Sequence, residues 1–327
     1  MNKHTAADAL TKGFVAQWIA ALLVVLSCGG PNALGPGART RQLPAQSRWG
    51  AEDQRGAANW ITPAKVLEAA RLIKEGKVYQ LGRLYEEGMP VYENRSFKLR
   101  TQAAGPFGNN RLTSHQEFVE SEIGQVGTQF DGLGHIGVGD LFYNGFDRRN
   151  FASETGLTKL GVENAGAFFT RGLLLDVAAF KGVERLSKGY EITVYDVQGA
   201  LQREGLKIRT GDVVILHTGW GSLWNIDNKL FASGKPGLGK AAAWHLASKQ
   251  ISMVGTDAWG PEAIPEPEPE EVHPVHQILI SLNGIYVMEN LDTSELVRDG
   301  IHEFAFIFAP LRLKGASGSP GNPIAVK

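Results

Sequence analysis

Three segments of the chain are apolar along their whole length, and this feature restricts the fold more than any other. They read GLLLDVA, VVILHT and FAFIFAP, at residues 172–178, 213–218 and 304–310. A strand with one face in water alternates apolar and polar residues, whereas a strand covered on both faces is apolar throughout. Similar strand-like runs occupy residues 78–84, 251–255 and 285–288, and helical patterns occupy residues 62–76, 193–204 and 240–249. This alternation predicts an α/β fold in which helices cover a sheet.

The first 28 residues have the composition of an export signal. Lys3 and Lys12 precede an apolar block, FVAQWIAALLVVLS, that ends at Ser27 and is shorter than the roughly 20 residues that span a bilayer. Cys28, the only cysteine, follows Val-Leu-Ser in a sequence that resembles a bacterial lipobox. We therefore expect residues 1–28 to direct export to the periplasm. Whether Cys28 also carries a lipid anchor, the one membrane attachment we expect, stays open.

The rest of the chain divides into a tether and one large domain. Residues 29–48, GGPNALGPGARTRQLPAQSR, are rich in Gly, Pro and polar residues without an apolar period, as in a flexible linker. Residues 49–327 are sufficient for a single domain with a large buried core. The formal net charge of −1 and the pI near 6.7 provide no concentrated basic surface. Nucleic acid is therefore not expected as a partner.

The stretch GQVGTQFDGLGHIG, residues 124–137, carries four polar side chains at the spacing of a metal-ligand cluster. On an extended strand Gln125, Gln129 and Asp131 project from one face, and His135 follows after a glycine-lined turn. Carboxylate and imidazole groups bind divalent first-row metals well, whereas a Gln amide is a weaker ligand. The stretch therefore predicts a metal site that needs further ligands from elsewhere in the chain.

Two further ligands are available at His276 and Glu289, within EVHPVHQILISLNGIYVMENL at residues 271–291. His276 alone is typical of a helix surface, because apolar residues at 275, 278, 279 and 282 form a helical stripe beside it. Its pairing with Glu289, at the end of an apolar strand, favours a ligand instead. His273 is read as a surface or helix residue and is left out of the site. The Pro- and Glu-rich segment at residues 260–274 is either an active-site flap or a plain connector.

With these motifs the chain resembles a known family, the cyclase or kynurenine formamidase-like metal-dependent hydrolases. The family signature H-x-G-T-H-x-D-x-P-x-H reads Q-x-G-T-Q-x-D-x-x-x-H here, and residues 276–291 are similar to the second motif. WGAEDQRGAAN at residues 49–59 and FAPLRLKGASGSPGNP at residues 308–323 are also similar. The resemblance implies the swivelling β/β/α domain, with helices packed on a mixed sheet, and a homodimer or higher homo-oligomer.

The resemblance also implies the residues of the site. The family's ligands for a divalent ion, Zn²⁺ or Mn²⁺, are carboxylates and imidazoles, and they match Asp131, His135, His276 and Glu289. Two histidines of the family signature are replaced by Gln125 and Gln129, which either bind the ion weakly or donate hydrogen bonds to a substrate carbonyl. His135 acts either as a ligand or as a general base.

The glutamine form of the signature is similar to trans-dienelactone hydrolase, which opens a lactone, whereas the histidine forms include kynurenine formamidase and isatin hydrolase, which cleave amides. The resemblance thus implies a hydrolase in which a metal-activated water opens a lactone, an ester or a cyclic amide of a small cyclic or aromatic substrate. The alternative is an exported protein on the same fold that binds a small molecule without catalysis. Retention of all four ligand residues favours the hydrolase.

Three more residues are candidates for the substrate pocket. Trp220 and Trp259 follow two apolar runs, and large aromatic side chains at strand ends often line pockets for flat ligands. Packing in the core is the equally open alternative for both. His217 also ends a buried strand, where sites tend to gather, although a hydrogen-bonded core histidine is the more common environment.

Overall fold

A nine-stranded mixed sheet organises the part of the chain that this computed structural model describes, residues 42–92 and 94–327. The strands in chain order are β1 (Val78–Gln80), β2 (Phe97–Phe107), β3 (Leu112–Ser121), β4 (Gln129–Asp131), β5 (Ala152–Ser153), β6 (Gly156–Leu157), β7 (Phe168–Asp176), β8 (Glu191–Ile192), β9 (Val213–His217), β10 (Gly237–Leu238), β11 (Met253–Thr256), β12 (Tyr286–Glu289), β13 (Glu303–Phe308), β14 (Gly318–Pro320) and β15 (Ile324–Val326). The α-helices are α1 (Pro63–Ala70), α2 (Arg148–Phe151), α3 (Val177–Phe180), α4 (Val194–Arg203), α5 (Asn228–Ala232), α6 (Lys240–Ser248), α7 (Pro274–His276) and α8 (Ser294–Arg298). Short 3₁₀-helices cover Gly56–Trp60, Tyr143–Gly145, Val162–Asn164 and Trp220–Leu223, and a π-helix covers Gln277–Leu282.

The large sheet has the strand order β1-β15-β13-β7-β9-β11-β12-β4-β14. Its central strands β7, β9, β11 and β12 run parallel to one another, and the strands on either side pair antiparallel. β9, β11 and β12 are buried along almost their whole length, as their apolar sequences predict. The prediction of an α/β fold with helices on a mixed sheet is confirmed.

Helix α1 begins where the sequence predicts and ends earlier. Thr62 Oγ1 accepts a hydrogen bond from Lys65 N at 3.3 Å, and Pro63 takes the first helical position. The helix ends at Ala70, before the predicted stop at Gly76. Capping residues thus mark the start of this helix more reliably than the glycine marks its end.

The strand β4 is fixed in orientation by an aromatic cluster on one face. Phe130 points away from Gln129 and Asp131, because side chains alternate along a strand. Its ring stacks on Tyr286 with the centroids 5.0 Å apart and meets Phe168 edge-on at 5.5 Å. All three rings are buried, and each such pair contributes about 0.5–1.5 kcal/mol beyond the buried area. This packing turns the polar residues of β4 toward the opposite face.

A long hairpin, β2 and β3, is not predicted by the sequence patterns. Its two strands pair antiparallel with each other and with no other strand of the described chain. Most side chains on both faces are exposed, including Leu99 and Phe118. The alternation of apolar and polar residues that identifies a half-buried strand is therefore missing here.

The predicted export signal, residues 1–28, and most of the predicted linker lie outside the described residues. The end of that linker belongs to the folded unit, which begins at Gln42. Ser47 N donates to Asn144 Oδ1 at 2.6 Å, and Ser47 Oγ donates to Asp53 Oδ2 at 2.8 Å. Within the described part of the chain, no helix combines the length and apolar composition that crossing a bilayer requires.

Candidate metal centre and its cleft

Gln129 and Glu289 are 160 residues apart in the chain and lie opposite each other on neighbouring strands. β4 pairs antiparallel with β12, which also places Asp131 opposite Val287. Directly opposed residues turn their side chains to the same face of a sheet, and so do residues two apart on one strand. Gln129 Nε2 accordingly donates to Glu289 Oε2 at 2.9 Å and lies 3.5 Å from Asp131 Oδ1. The register of β4 and β12 therefore places the carboxylates of Asp131 and Glu289 on the same face of the sheet.

His276 and His135 complete the group from two further elements. His276 ends α7, and its Nε2 lies 3.2 Å from Glu289 Oε1 and 3.5 Å from Asp131 Oδ2. His135 follows a turn in which its backbone N donates to Gly132 O at 3.1 Å, and its Nε2 lies 3.9 Å from Asp131 Oδ1. The structure therefore brings all four residues predicted as ligands into one group.

Gln125 does not share a strand face with Gln129, which corrects the prediction of one polar strand. β4 begins at Gln129, and the chain before it turns at Gly127, whose φ of 62° is in the left-handed region. A Cβ at this glycine would lie 2.7 Å from Tyr85 Cζ, so a side chain there would also clash. Gln125 still reaches the site, because its Nε2 lies 3.4 Å from His135 Nδ1.

Glu262 is a residue of the site that the sequence patterns do not reveal. Both of its carboxylate oxygens lie 2.9 Å from His276 Nδ1, and Oε2 also accepts from His276 N at 3.2 Å. A carboxylate on Nδ1 fixes the orientation of the ring and leaves Nε2 directed at Asp131 and Glu289, as in many metal-binding histidines. One glutamate in a Glu-rich segment has no sequence signal of its own. The only available signal is general, namely that a ligand histidine needs a carboxylate or carbonyl partner.

Two neighbours hold Glu262 in place. His273 Nδ1 lies 3.2 Å from Glu262 Oε1, and this half-buried histidine lines the cleft, which corrects its exclusion from the site. Lys235 is 0% exposed, donates to the backbone oxygen of Glu262, and has its Nζ 4.0 Å from Glu262 Oε1. The segment at residues 260–274 thus supplies side chains to the site, which favours a functional role for it over a plain connector.

Burial and neighbouring charges together set the protonation of the cluster. Burial raises the pKa of Asp131, but interactions with the His135 and His276 rings outweigh it and hold that pKa below its ordinary value. Burial and repulsion from Asp131 raise the pKa of Glu289. Burial lowers the pKa of His135, whereas for His276 the charge of Glu262 overcomes burial and raises the pKa well above its usual range. The two adjacent carboxylates, Asp131 and Glu289, therefore make this part of the site favourable for a cation.

The donor set fits a divalent ion such as Zn²⁺ or Mn²⁺, since carboxylates and imidazoles are the ligands that these metals accept. Ligand atoms of Asp131, His135 and His276 all lie within 4.8 Å of one another. Asp131 Oδ2 is buried without a well-formed hydrogen bond from the described residues, since His276 Nε2 lies 3.5 Å away, and a cation can satisfy this oxygen. Glu262, His273 and His276 form a second such group, but the buried Lys235 ammonium beside Glu262 disfavours another cation there.

The cluster opens into a cleft of about 890 Å³, counted with the solvent-open space inside it. Of the three predicted pocket residues, Trp259 lines this cleft. Trp220 is buried behind it, with Nε1 donating to Phe231 O at 3.2 Å. His217 is outside the lining as well, and its Nδ1 lies 2.7 Å from Thr293 Oγ1, as expected of a hydrogen-bonded core histidine. The predicted pocket is therefore corrected, because Trp220 and His217 do not line the cleft.

Comparison with known proteins gives the chain a family. Residues 52–263 match the family model described as "Putative cyclase", and no curated protein matches the sequence. A crystal structure described as a novel cyclase is 32% identical, with a TM-score of 0.78 over 88% of this chain and 100% of that chain.

Two isatin hydrolases share the fold at lower identity. Isatin hydrolase A from Ralstonia solanacearum is 18% identical, with a TM-score of 0.56 over 77% of this chain and 92% of that chain. Isatin hydrolase A from Labrenzia aggregata, bound to benzyl benzoate, is 19% identical, with a TM-score of 0.54 over 76% of this chain and 93% of that chain. Because the family model matches more than half of the sequence, the chain belongs to the cyclase family.

Proposed function

We propose that this protein is a metal-dependent hydrolase that opens a lactone or an ester, or else a cyclic amide, of a small cyclic or aromatic substrate. One observation carries the proposal: Asp131, His135, His276 and Glu289 converge beside one cleft, and Asp131 Oδ2 is buried there without a well-formed hydrogen bond from the described residues. The similarity to isatin hydrolases supports a hydrolytic reaction on a cyclic substrate.

Asp131, His276 and Glu289 are the residues that would hold the ion, with His135 as a fourth ligand or as the general base. A divalent ion bound there supplies a Lewis acid that polarises a carbonyl group and lowers the pKa of water toward neutrality. Glu262 keeps His276 in one orientation through its two contacts of 2.9 Å to Nδ1. The protein thus contributes a fixed arrangement of ligands, which avoids reorganisation during the reaction.

Two glutamines stand where the family signature has histidines, and they favour one ion over two. Gln129 donates its amide N–H to Glu289 and points toward Asp131, so it links the two carboxylates. An amide is a weaker ligand than imidazole. We therefore propose a single-ion site. We also propose an ester or a lactone as the substrate, because an alkoxide or enolate is a better leaving group than an amide nitrogen.

His135 has one of two roles in this proposal, as a ligand or as the base that accepts the proton of the attacking water. Burial lowers its pKa, so the ring is neutral near pH 7 and keeps a lone pair for either role. His135→Gln separates the two. Loss of turnover with retained metal identifies the base, and loss of both identifies a ligand.

The test is elemental analysis of the purified protein, followed by hydrolysis assays on lactones, aryl formamides and isatin with and without a chelator. Asp131→Ala and Glu289→Ala should each abolish metal content and turnover, and Gln129→Ala should change substrate affinity more than metal content. Glu117→Ala, on the exposed hairpin, is the matched control. Full activity in a metal-free Asp131→Ala variant would overturn the proposal, and ligand binding without turnover in the metal-loaded protein would favour a binding protein.

A further inference from the structure

Arg95 is the one Arg or Lys among the described residues that line the cleft. Its Nη1 donates to the backbone oxygen of Gln125 at 3.0 Å, and its Cζ lies 5.6 Å from the centroid of the Tyr92 ring. These contacts hold the head group in place but use few of the five N–H donors that a guanidinium carries. No direct ion pair joins Arg95 to a carboxylate of the described residues, although its charge helps to lower the pKa of Asp131 and of Glu122 from a longer distance. Arg95 is therefore a positioned cation that forms no direct ion pair with a carboxylate in this part of the chain.

An aromatic wall lies beside this cation. Tyr92 and Trp259 both line the cleft and stack on each other, with centroids 4.6 Å apart and planes 21° from parallel. Trp259 Nε1 donates to Phe231 O at 2.8 Å, which fixes the indole. Val91 and Phe231 add apolar surface to the same lining. Because Tyr92 covers one face of Trp259 and Lys235 Nζ lies 5.0 Å from the centroid of the same indole, a flat ligand would meet these rings at their edges, an arrangement that aromatic pairs favour.

We propose that the cleft binds a small aromatic carboxylate, with the ring against Tyr92 and Trp259 and the carboxylate on Arg95. The inference rests on the proposed function for the identity of the site and adds the chemical class of its ligand. A guanidinium in a partly buried cleft binds a carboxylate by charge-assisted hydrogen bonds, often in pairs. The carboxylate is either a second group that the substrate already carries or the group that hydrolysis releases.

Isothermal titration of the chelator-treated protein with benzoate and with the neutral isostere benzamide tests this proposal without any turnover. The wild type should bind benzoate more tightly than benzamide. Arg95→Gln should weaken benzoate binding roughly tenfold or more and leave benzamide binding unchanged, and Arg95→Lys should retain part of the preference. Arg100→Gln is the matched control, since Arg100 lies exposed on β2. A thermal melt of each variant verifies that it is folded.

Repeating the titration with Mn²⁺ present distinguishes the two sources of the carboxylate. If the carboxylate is a second group of the substrate, Arg95→Gln weakens benzoate binding equally with and without Mn²⁺. If it is the released group, Mn²⁺ strengthens benzoate binding and reduces the effect of Arg95→Gln. Equal affinity of wild type and Arg95→Gln for benzoate in both conditions, or no binding of benzoate to the wild type, overturns the proposal. Either result is independent of whether the protein hydrolyses esters.

Discussion

Replacing Glu262 with Gln tests whether the orientation of His276 sets the affinity for metal. Glu262 is 2% exposed, and both of its oxygens lie 2.9 Å from His276 Nδ1. Gln keeps the shape of the side chain, but it removes the negative charge and replaces one acceptor oxygen with a donor. Loss of such a carboxylate partner typically costs roughly 10–100-fold in metal affinity, or about 1.4–2.7 kcal/mol.

The same change should also lower stability, and this effect must be separated from the effect on metal. Lys235 is buried with its Nζ 4.0 Å from Glu262 Oε1, so removal of the carboxylate charge leaves a buried ammonium without its partner. Breaking a buried pair in this way costs about 3–5 kcal/mol. The double variant Lys235→Met with Glu262→Gln removes the unpaired ammonium. It should recover part of the stability and none of the metal affinity.

Competition with a chromophoric chelator measures the Zn²⁺ or Mn²⁺ affinity of each variant, and thermal unfolding is followed in parallel. Glu266→Gln is the matched control, because its carboxylate belongs to the same segment and accepts from His273 N at 2.7 Å without a hydrogen bond to His276. Wild-type metal affinity in a folded Glu262→Gln variant would refute the role assigned to Glu262.

Two further predictions concern the glutamines and the N-terminal network. Gln125→His combined with Gln129→His should add a second equivalent of metal in elemental analysis, because imidazole is the stronger ligand, and unchanged stoichiometry would point to substrate contacts. Asp53→Asn should lower the free energy of unfolding by about 1–3 kcal/mol at pH 7, because Asp53 accepts from Tyr143 Oη at 2.7 Å and Asn59 Nδ2 at 2.8 Å. Burial raises the pKa of Asp53, but these hydrogen bonds outweigh it and hold the pKa below its ordinary value. Their stabilisation is therefore full above the unfolded-state pKa of about 3.9, and it is lost as pH falls through the lower folded-state pKa. Urea unfolding at pH 7 and pH 3 should show the difference shrinking, and an equal difference at both would contradict this assignment.

The residues of the candidate metal centre could be selected from the sequence because their types and spacing occur in short segments. Asp131 and His135 belong to one motif, and Glu289 ends an apolar strand. The parallel core could be predicted for a similar reason, since burial on both faces leaves continuous apolar runs. Periodicity over a few residues is enough for features of this kind.

Other parts of the site depend on contacts that no local pattern encodes. Gln125 leaves the strand because Gly127 adopts a positive φ, and the sequence does not say whether a given glycine does so. Glu262 reaches His276 from an irregular segment with several glutamates. Trp220 and Trp259 each follow a strand, yet one packs in the core and the other lines the cleft. Only the tertiary arrangement decides which tryptophan packs in the core and which one lines the cleft.

The position of β4 in the sheet has a consequence for biosynthesis. This three-residue strand pairs with β12 on one side and β14 on the other, with Asp131 opposite Val287 and Gly318. Both neighbours follow β4 in the chain, at Tyr286–Glu289 and Gly318–Pro320. During synthesis, the place proposed for an ion beside Asp131 therefore cannot form before these two later strands have been made and have paired with β4.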